Sequence, residues 1–376
     1  MELVKINLTN FRNYDKLELN FDKKNTIFIG DNAQGKTNIL ESIYFLSLTK
    51  SFLNVKDCNL IKFNTLYTKI SGVVCDREKD IKLEVLVNNK EKKVKIDNTE
   101  IIKLSNYISK LNVVIFSPDN VRLLKESPNY RRKYLNIQIS QLYNKYLIIL
   151  SEFNKILKQR NEYLKTVLSR NKIDDIYLDI LNRKYATLAV EVYLYRNNLI
   201  NKINEQIDNI YFDITGFDGL KLKYISNIDY YNDKSEMIEN FYEKLGKNLK
   251  KDLIYKMTLL GPQRDDFCFL LQGNNLLQFG SQGQIRCAIL ALKFCEVNIF
   301  SEVLETKPVV LLDDIFSELD IKKRNNVIDF LNKDYQTIIT TTDLSNVSNE
   351  ILKNSNIYMV ENGNIIMQDE GNDMNE

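Results

Sequence analysis

The sequence predicts an α/β protein: a mixed sheet carrying a phosphate-binding loop, an antiparallel β subdomain, and a helical lobe inserted in mid-chain. Three observations predict it. A strand, a glycine-rich turn and a helix succeed one another between Thr26 and Leu48. A very apolar strand, Pro308 to Leu312, ends in two aspartates. Between these points the apolar period changes from two to three-and-four, and then back.

In chain order, apolar residues alternate at Val4, Ile6 and Leu8 and again at Leu17, Leu19 and Phe21, on either side of a polar break at Asn10 to Asp15. Two paired strands are expected. The buried strand Thr26 to Ile29 then feeds the glycine turn and a helix from about Lys36 to Leu48. Further strands are expected at Tyr67 to Val74, Ile81 to Val87, Lys92 to Ile96 and Val113 to Phe116, with Asn88 and Asn89 as a hairpin turn. After Ser117 and Pro118 the period is helical. Leu142, Tyr146, Ile149, Phe153, Ile156 and Leu157 form one apolar stripe, and Leu181, Tyr185, Leu188, Val192, Leu199, Ile203, Ile207 and Ile210 a second, with a polar break at Arg170 to Asp175. This spacing predicts two antiparallel helices, each about 50 Å long at 1.5 Å per residue, whose stripes pack rather than bind a ligand. Strand character resumes beyond Ile254, and a helix is expected from about Gln284 to Phe300. The expected organisation is a first part of the head at 1–118, a helical arm at 119–250, the rest of the head at 251–368 and an acidic tail at 369–376.

Composition narrows the chemistry. The chain has 376 residues and no histidine, which removes imidazole bases and histidine-ligated metals, so any general base must be a carboxylate. Its five cysteines, Cys58, Cys75, Cys268, Cys287 and Cys295, are scattered without a C-x-x-C pair and read as buried small hydrophobes in a reducing compartment. A net charge of +2 gives no general argument for nucleic acid, so DNA, if bound, would need a local basic patch. No apolar run approaches the ~18 residues of a membrane span, and Met1 to Asn10 lacks an export pattern; a cytoplasmic, membrane-free protein is expected.

The segment Gly30-Asp31-Asn32-Ala33-Gln34-Gly35-Lys36-Thr37 matches G-x-x-x-x-G-K-[ST], the Walker A loop, in the required place between strand and helix. Its glycines let N–H groups turn towards phosphate oxygens, Lys36 brings a positive charge, and Thr37 brings a hydroxyl for Mg²⁺. At the end of the Val309 to Leu312 strand, Asp313 and Asp314 make a Walker B pattern: Asp313 is the expected metal partner and Asp314 the expected base for an attacking water. Lys36 and Asp314 are thus the catalytic candidates for ATP hydrolysis. The wide separation of these two motifs argues against an ordinary small-molecule kinase, although a P-loop phosphotransferase remains one alternative.

Between them lies Phe279-Gly280-Ser281-Gln282-Gly283-Gln284, opening a helix. By itself Ser281 to Gln284 is a plausible helix cap. Placed upstream of a Walker B strand, it resembles the signature of the ABC-type ATPases, and the chain resembles an ABC-type head with its arm inserted between Walker A and Walker B. In that family the signature of one subunit completes the nucleotide site of the other, so the resemblance implies an ATP-dependent homodimer. Ser317-Glu318-Leu319-Asp320 resembles the loop that crosses such an interface. Transporter relatives carry a histidine after Walker B; here the strand Gln336 to Thr340 is followed by Thr341, Thr342 and Asp343, and a hydroxyl or amide must replace it.

Several further segments resemble the RecF family in family order. They are Leu8 to Tyr14, Lys50-Ser51-Phe52, Phe116-Ser117-Pro118-Asp119 with Arg131-Arg132, and Gly261-Pro262-Gln263-Arg264-Asp265-Asp266. Leu53 and Gln263 depart from the usual arginine and histidine. The resemblance implies a weak ATPase that binds duplex DNA at single-strand gaps and works with RecR and RecO to load RecA on single strands coated with single-strand-binding protein. Another ATPase of the chromosome-maintenance type, from phage defence, is the nearer alternative. Arg131, Arg132 and Lys133 are the candidate DNA contacts, with Lys155, Lys158 and Arg160 further along the arm. Arg12 and Arg264 are candidates for phosphate, interface or DNA contacts, and Asp265 and Asp266 have no assigned partner.

Overall fold

The computed structural model describes residues 1–77, 79–170, 174–319, 321–331 and 335–367. Asp320, the acidic tail and residues 171–173 of the expected polar break lie outside the described residues. The chain forms two compact units, one of residues 1–121, 209–217 and 286 onward, the other of 122–208 and 218–285.

The first unit begins with β1 (Glu2–Phe11), β2 (Tyr14–Asn20), β3 (Asn25–Ile29), helix α1 (Lys36–Leu48), β4 (Tyr67–Asp76), β5 (Lys79–Asn88), β6 (Lys92–Ile96), β7 (Thr99–Glu100) and β8 (Val113–Phe116). Elements of the second unit follow: α2 (Arg122–Lys125), α3 (Pro128–Leu142), α4 (Asn144–Arg170) and α5 (Asp175–Asn204). After α6 (Ile207–Thr215) come β9 (Leu220–Ile225), α7 (Lys234–Tyr255), β10 (Asp266–Leu271), β11 (Asn274–Asn275) and α8 (Leu276–Phe279). Helix α9 (Gln282–Leu304) leads into β12 (Val309–Asp313), α10 (Ile321–Leu331), β13 (Thr337–Thr341), α11 (Asn349–Lys353), β14 (Ser355–Glu361) and β15 (Asn364–Met367).

Two six-stranded sheets build the first unit. One runs β15-β14-β3-β13-β12-β8 and is parallel except for β15. A parallel strand buried on both faces should be continuously apolar, and Val309 to Leu312 and Val113 to Phe116 are buried throughout. The order puts β3 next to β13 and β13 next to β12, so the ends of β3 and β12 open on the same side with β13 between them. The other sheet is antiparallel, β2-β1-β4-β5-β6-β7. A register shift between Leu3 and Lys5 changes the phase of β1. Leu3 is therefore buried, whereas Val4, expected on the apolar face with Ile6 and Leu8, is 38% exposed.

In the second unit α4 and α5 pack antiparallel: Tyr146 meets Tyr195, Arg160 meets Asn182, and Tyr163 meets Tyr177. At 27 and 30 residues they are about 40 and 45 Å long. The unit is more than the expected helix pair. Helix α7, capped by Asp233, lays Met237, Phe241 and Leu245 on the bundle, and β9, β10 and β11 form a three-stranded sheet. Residues 251–285, expected with the head, belong here, where β10 pairs with β9 rather than with a strand of the first unit.

The cysteines form no disulfide among the described residues. Cys287 and Cys295 are buried as expected, but Cys75 and Cys268 are half-buried and Cys58 is exposed. No helix among the described residues is long and apolar enough to cross a membrane.

Candidate functional site

The Gly30 to Thr37 loop connects the end of β3 to α1. Gly35 (φ 116°) and Ala33 (φ 66°) take left-handed backbone, a conformation that turns successive peptides the same way. Space as well as φ requires glycine at 35, where a Cβ would lie 2.4 Å from Asn13 Nδ2 and 2.8 Å from the Tyr14 hydroxyl. The loop carbonyls are held from outside. Gln34 O accepts from Asn13 Nδ2 (3.1 Å) and from the Gly363 N–H (3.3 Å), and Gly35 O accepts from the Tyr14 hydroxyl (3.1 Å). Asn13 Oδ1 also accepts from Asn38 Nδ2 at 2.8 Å, and Gln34 Oε1 accepts from the Asn362 N–H at 2.7 Å. With its carbonyls bonded outward, the loop leaves the start of α1 to offer N–H groups and a partial positive charge to an anion.

Lys36 is 6% exposed and folds back onto the carbonyls of Gly30 and, at 2.7 Å, Asp31. Burial lowers its pKa, while Asp314, Asp313 and Asp31 pull it back up. Thr37 Oγ1 donates to Asp313 Oδ1 at 2.9 Å, across 276 positions of sequence. Thr340, at the end of β13, donates to the same oxygen at 2.9 Å, and its Oγ1 accepts the Asp314 N–H at 3.1 Å. Burial raises the Asp313 pKa against these two hydrogen bonds. Asp314 sits in left-handed backbone (φ 47°), and its buried Oδ1 has no hydrogen-bond partner among the described residues.

These groups line a cavity of about 290 Å³ together with Pro118 and Asn38. A lysine, a helix start, one hydroxyl and two carboxylates suit a triphosphate with a hard cation. Among the described residues no cluster of three acidic, cysteine or histidine side chains surrounds a metal position. A donor set of that kind fits Mg²⁺, which keeps most of its waters and shares phosphate oxygens, better than a metal needing a full protein cage.

The Ser281 to Gln284 segment forms a reciprocal cap. Ser281 Oγ accepts the Gln284 N–H (3.2 Å), and Gln284 Oε1 accepts the Ser281 N–H (2.8 Å). Ser281, Gln282 and Gly283 are exposed, so the start of the 23-residue α9 faces solvent.

Comparison with known proteins follows the same lines. Residues 2–366 match the model of the RecF/RecN/SMC N terminal domain. The DNA replication and repair protein RecF of Listeria monocytogenes is 37% identical over 362 residues, 96% of this chain and 98% of that one. The chain belongs to the RecF family. The Geobacillus kaustophilus RecF is 36% identical over the same shares. A solved structure of the recombination mediator protein RecF with ATP superposes with a TM-score of 0.90 at 31% identity, covering 98% of this chain and 97% of that one. The Pyrococcus furiosus Smc head, at 16% identity and a TM-score of 0.54, shares the fold. The fold is therefore that of an ABC-type ATPase head with inserted helices, and the phosphotransferase and phage-defence alternatives are set aside.

Several candidates outside the RecF-family nucleotide motifs prove to have internal partners. Arg131 forms a bidentate pair with Asp266 (2.5 and 2.9 Å) and donates to the carbonyl of Glu126 (2.8 Å), so it is held as a structural ion pair rather than displayed for DNA. Arg132 is half-buried and donates to the Asp265 carbonyl, and Lys133 is exposed. Arg160, a further candidate DNA contact along the arm, is fully buried between Asp252, Asn182 and Thr258. Arg12 is paired with the buried Glu41 through two 2.8 Å bonds. Gln263, one of the two family departures, bonds to Tyr185 and to the carbonyls of Thr258 and Leu260. Asp265 accepts from Tyr224 (2.6 Å) and faces Arg196. Sequence reading missed Asn13 and Tyr14 as supports of the phosphate loop, because a turn asparagine carries no sign of its target. Thr340 was foreshadowed only as some hydroxyl or amide beyond Walker B.

Proposed function

We propose that this chain is an ATP-gated DNA-binding protein of recombinational repair and replication-fork maintenance, working as a homodimer that closes around two ATP molecules. The observation that carries this reading is the 2.9 Å meeting of Thr37 and Asp313 in one cavity with Lys36 and the unpartnered Asp314 oxygen. In this account the N–H groups of residues 30–37 bind the β and γ phosphates, and the Lys36 ammonium leaves its loop carbonyls for phosphate oxygens. Thr37 and Asp313 would hold Mg²⁺, which would supply a Lewis acid to the terminal phosphate oxygens. Asp314 Oδ1 accepts a proton from the attacking water, the role that a chain without histidine leaves to a carboxylate. Ser281 and the exposed N–H groups at the start of α9 grip the γ-phosphate bound to the partner protomer.

Hydrolysis is slow and resets the dimer. Its DNA target is duplex at single-strand gaps, and RecR and RecO are the partners with which it promotes loading of RecA on coated single strands. The family supports this reading, as does the solved relative named as a recombination mediator in the RecFOR pathway. The test is a pair of variants. Asp314→Asn is expected to bind ATP normally, to hydrolyse it about 10²- to 10⁴-fold more slowly and to persist as a dimer. Lys36→Ala is expected to lose both ATP binding and dimerisation. Equal dimerisation by the two variants overturns the proposal.

A further inference from the structure

The second unit contains a loop, Thr258 to Asp265, held along its length by buried and half-buried polar side chains. Asn161 accepts the Thr258 N–H (2.7 Å), Asp252 accepts the Leu259 N–H (3.1 Å), and Asn227 accepts the Gly261 N–H (2.8 Å). The Tyr185 hydroxyl donates to Leu260 O (2.7 Å), Arg196 donates to Pro262 O (2.7 Å), and Arg132 donates to Asp265 O (2.8 Å). Gly261 takes φ 119°, and a Cβ there would lie 2.0 Å from the Tyr185 oxygen. Behind the loop lie two ion pairs with both members buried, Arg160–Asp252 and Arg196–Asp265. Burying such charges costs several kcal/mol per ion and seldom adds net stability over apolar packing. What this network provides is a fixed loop conformation.

That loop displays a cation. Arg264 is exposed, and its guanidinium meets only Met257 Sδ (3.0 Å), with no carboxylate partner among the described residues. Arg132, bonded to the carbonyl of the next residue, also makes no ion pair among the described residues. The nearby acids are already engaged, Asp266 by Arg131 and Asp265 by Arg196 and Tyr224. Burial lowers the Arg132 pKa and the charge of Arg196 lowers it further, while Asp266 and Asp265 pull it back up and Arg264 opposes them. Two arginines without an ion-pair partner among the described residues, one of them bonded to the carbonyl that follows the other, offer a receptor for an oxyanion, and the planar guanidinium matches the paired oxygens of a phosphate.

We propose that Arg264 and Arg132 form a phosphodiester-binding site for duplex DNA, fixed in place by the buried ion-pair network. This rests on the reading above that the protein binds DNA, and it moves the contact from Arg131 to the Arg132–Arg264 pair. The site reads no sequence; it sets the position of the backbone.

The test uses the full chain with Mg·ATP and a fluorescently labelled duplex, with anisotropy followed between about 50 and 200 mM salt. Arg264→Gln is expected to weaken binding about 5- to 10-fold at the lower salt and to reduce the slope of log affinity against log salt by about 0.9, the signature of one lost phosphate contact. Arg264→Lys is expected to keep most of the slope, and Arg264→Gln/Arg132→Gln to lose about twice as much. Lys247→Gln, which removes an exposed lysine of α7, serves as the charge control and is expected to match wild type. Wild-type affinity and slope in both glutamine variants overturn the site, as does an equal loss in the Lys247 control. Unchanged DNA binding per protomer with lost self-association assigns Arg264 to a protein contact and also overturns it. Absence of duplex binding by the wild type overturns the DNA-binding reading itself, and is distinguished by the wild-type curve alone.

Discussion

Lys36 is the residue where burial and function pull in opposite directions. It lies among carbonyls, and burial lowers its pKa below that of an ordinary lysine. As pH rises through that lowered value the ammonium loses its proton, and with it the attraction for phosphate. ATP affinity is therefore expected to fall on the alkaline side before pH reaches 10.5. Binding in that range is expected to take up protons, measurable by calorimetry in buffers of different ionisation enthalpy. Lys36→Arg, protonated throughout, is expected to lack this limb. At this scale Lys36, Thr37, Asp313 and Asp314 were legible from spacing alone, since each belongs to a short motif in a fixed strand or helix context. Arg131 and Arg160 were not: a basic residue on a helix looks the same in sequence whether it faces water or a carboxylate brought from 135 or 92 positions away.

Among elements, the turn between β1 and β2 supports the phosphate loop through Asn13, which bridges Gln34 at its rim and Asn38 in the first turn of α1. Asn13→Ala removes both bonds and is expected to weaken ATP binding about 5- to 30-fold, in line with about 1–2 kcal/mol for two hydrogen bonds, while the melting temperature shifts little. Equilibrium titration of ATP against the variant checks it. In the second unit, Arg160→Met leaves the Asp252 carboxylate buried without its cation, and an expected loss of about 3–5 kcal/mol should appear in urea unfolding. Periodicity placed α1, β6 and β8 correctly because their apolar patterns are unbroken. It failed at β1, where one shifted residue changes the phase, and it passed over α7, whose Met237, Phe241 and Leu245 are separated by exposed charged residues.

For the whole molecule, the chain leaves its first unit after Val121, rejoins it briefly at 209–217 and again within α9 from Arg286, so the signature and the Walker motifs belong to different units of one chain. The sheet order explains how Walker A and Walker B meet although they are far apart in sequence, because β13 lies between β3 and β12 and contributes Thr340 to their shared cavity. The signature has no such internal destination in the proposed account; it completes the site of a second copy. Light scattering of the full chain with and without Mg·ATP, for wild type and Ser281→Arg, tests this most directly. The account predicts that ATP doubles the wild-type mass and leaves Ser281→Arg monomeric with its ATP affinity intact. A wild type that stays monomeric while hydrolysing ATP, or a Ser281→Arg variant that dimerises equally well, would contradict it.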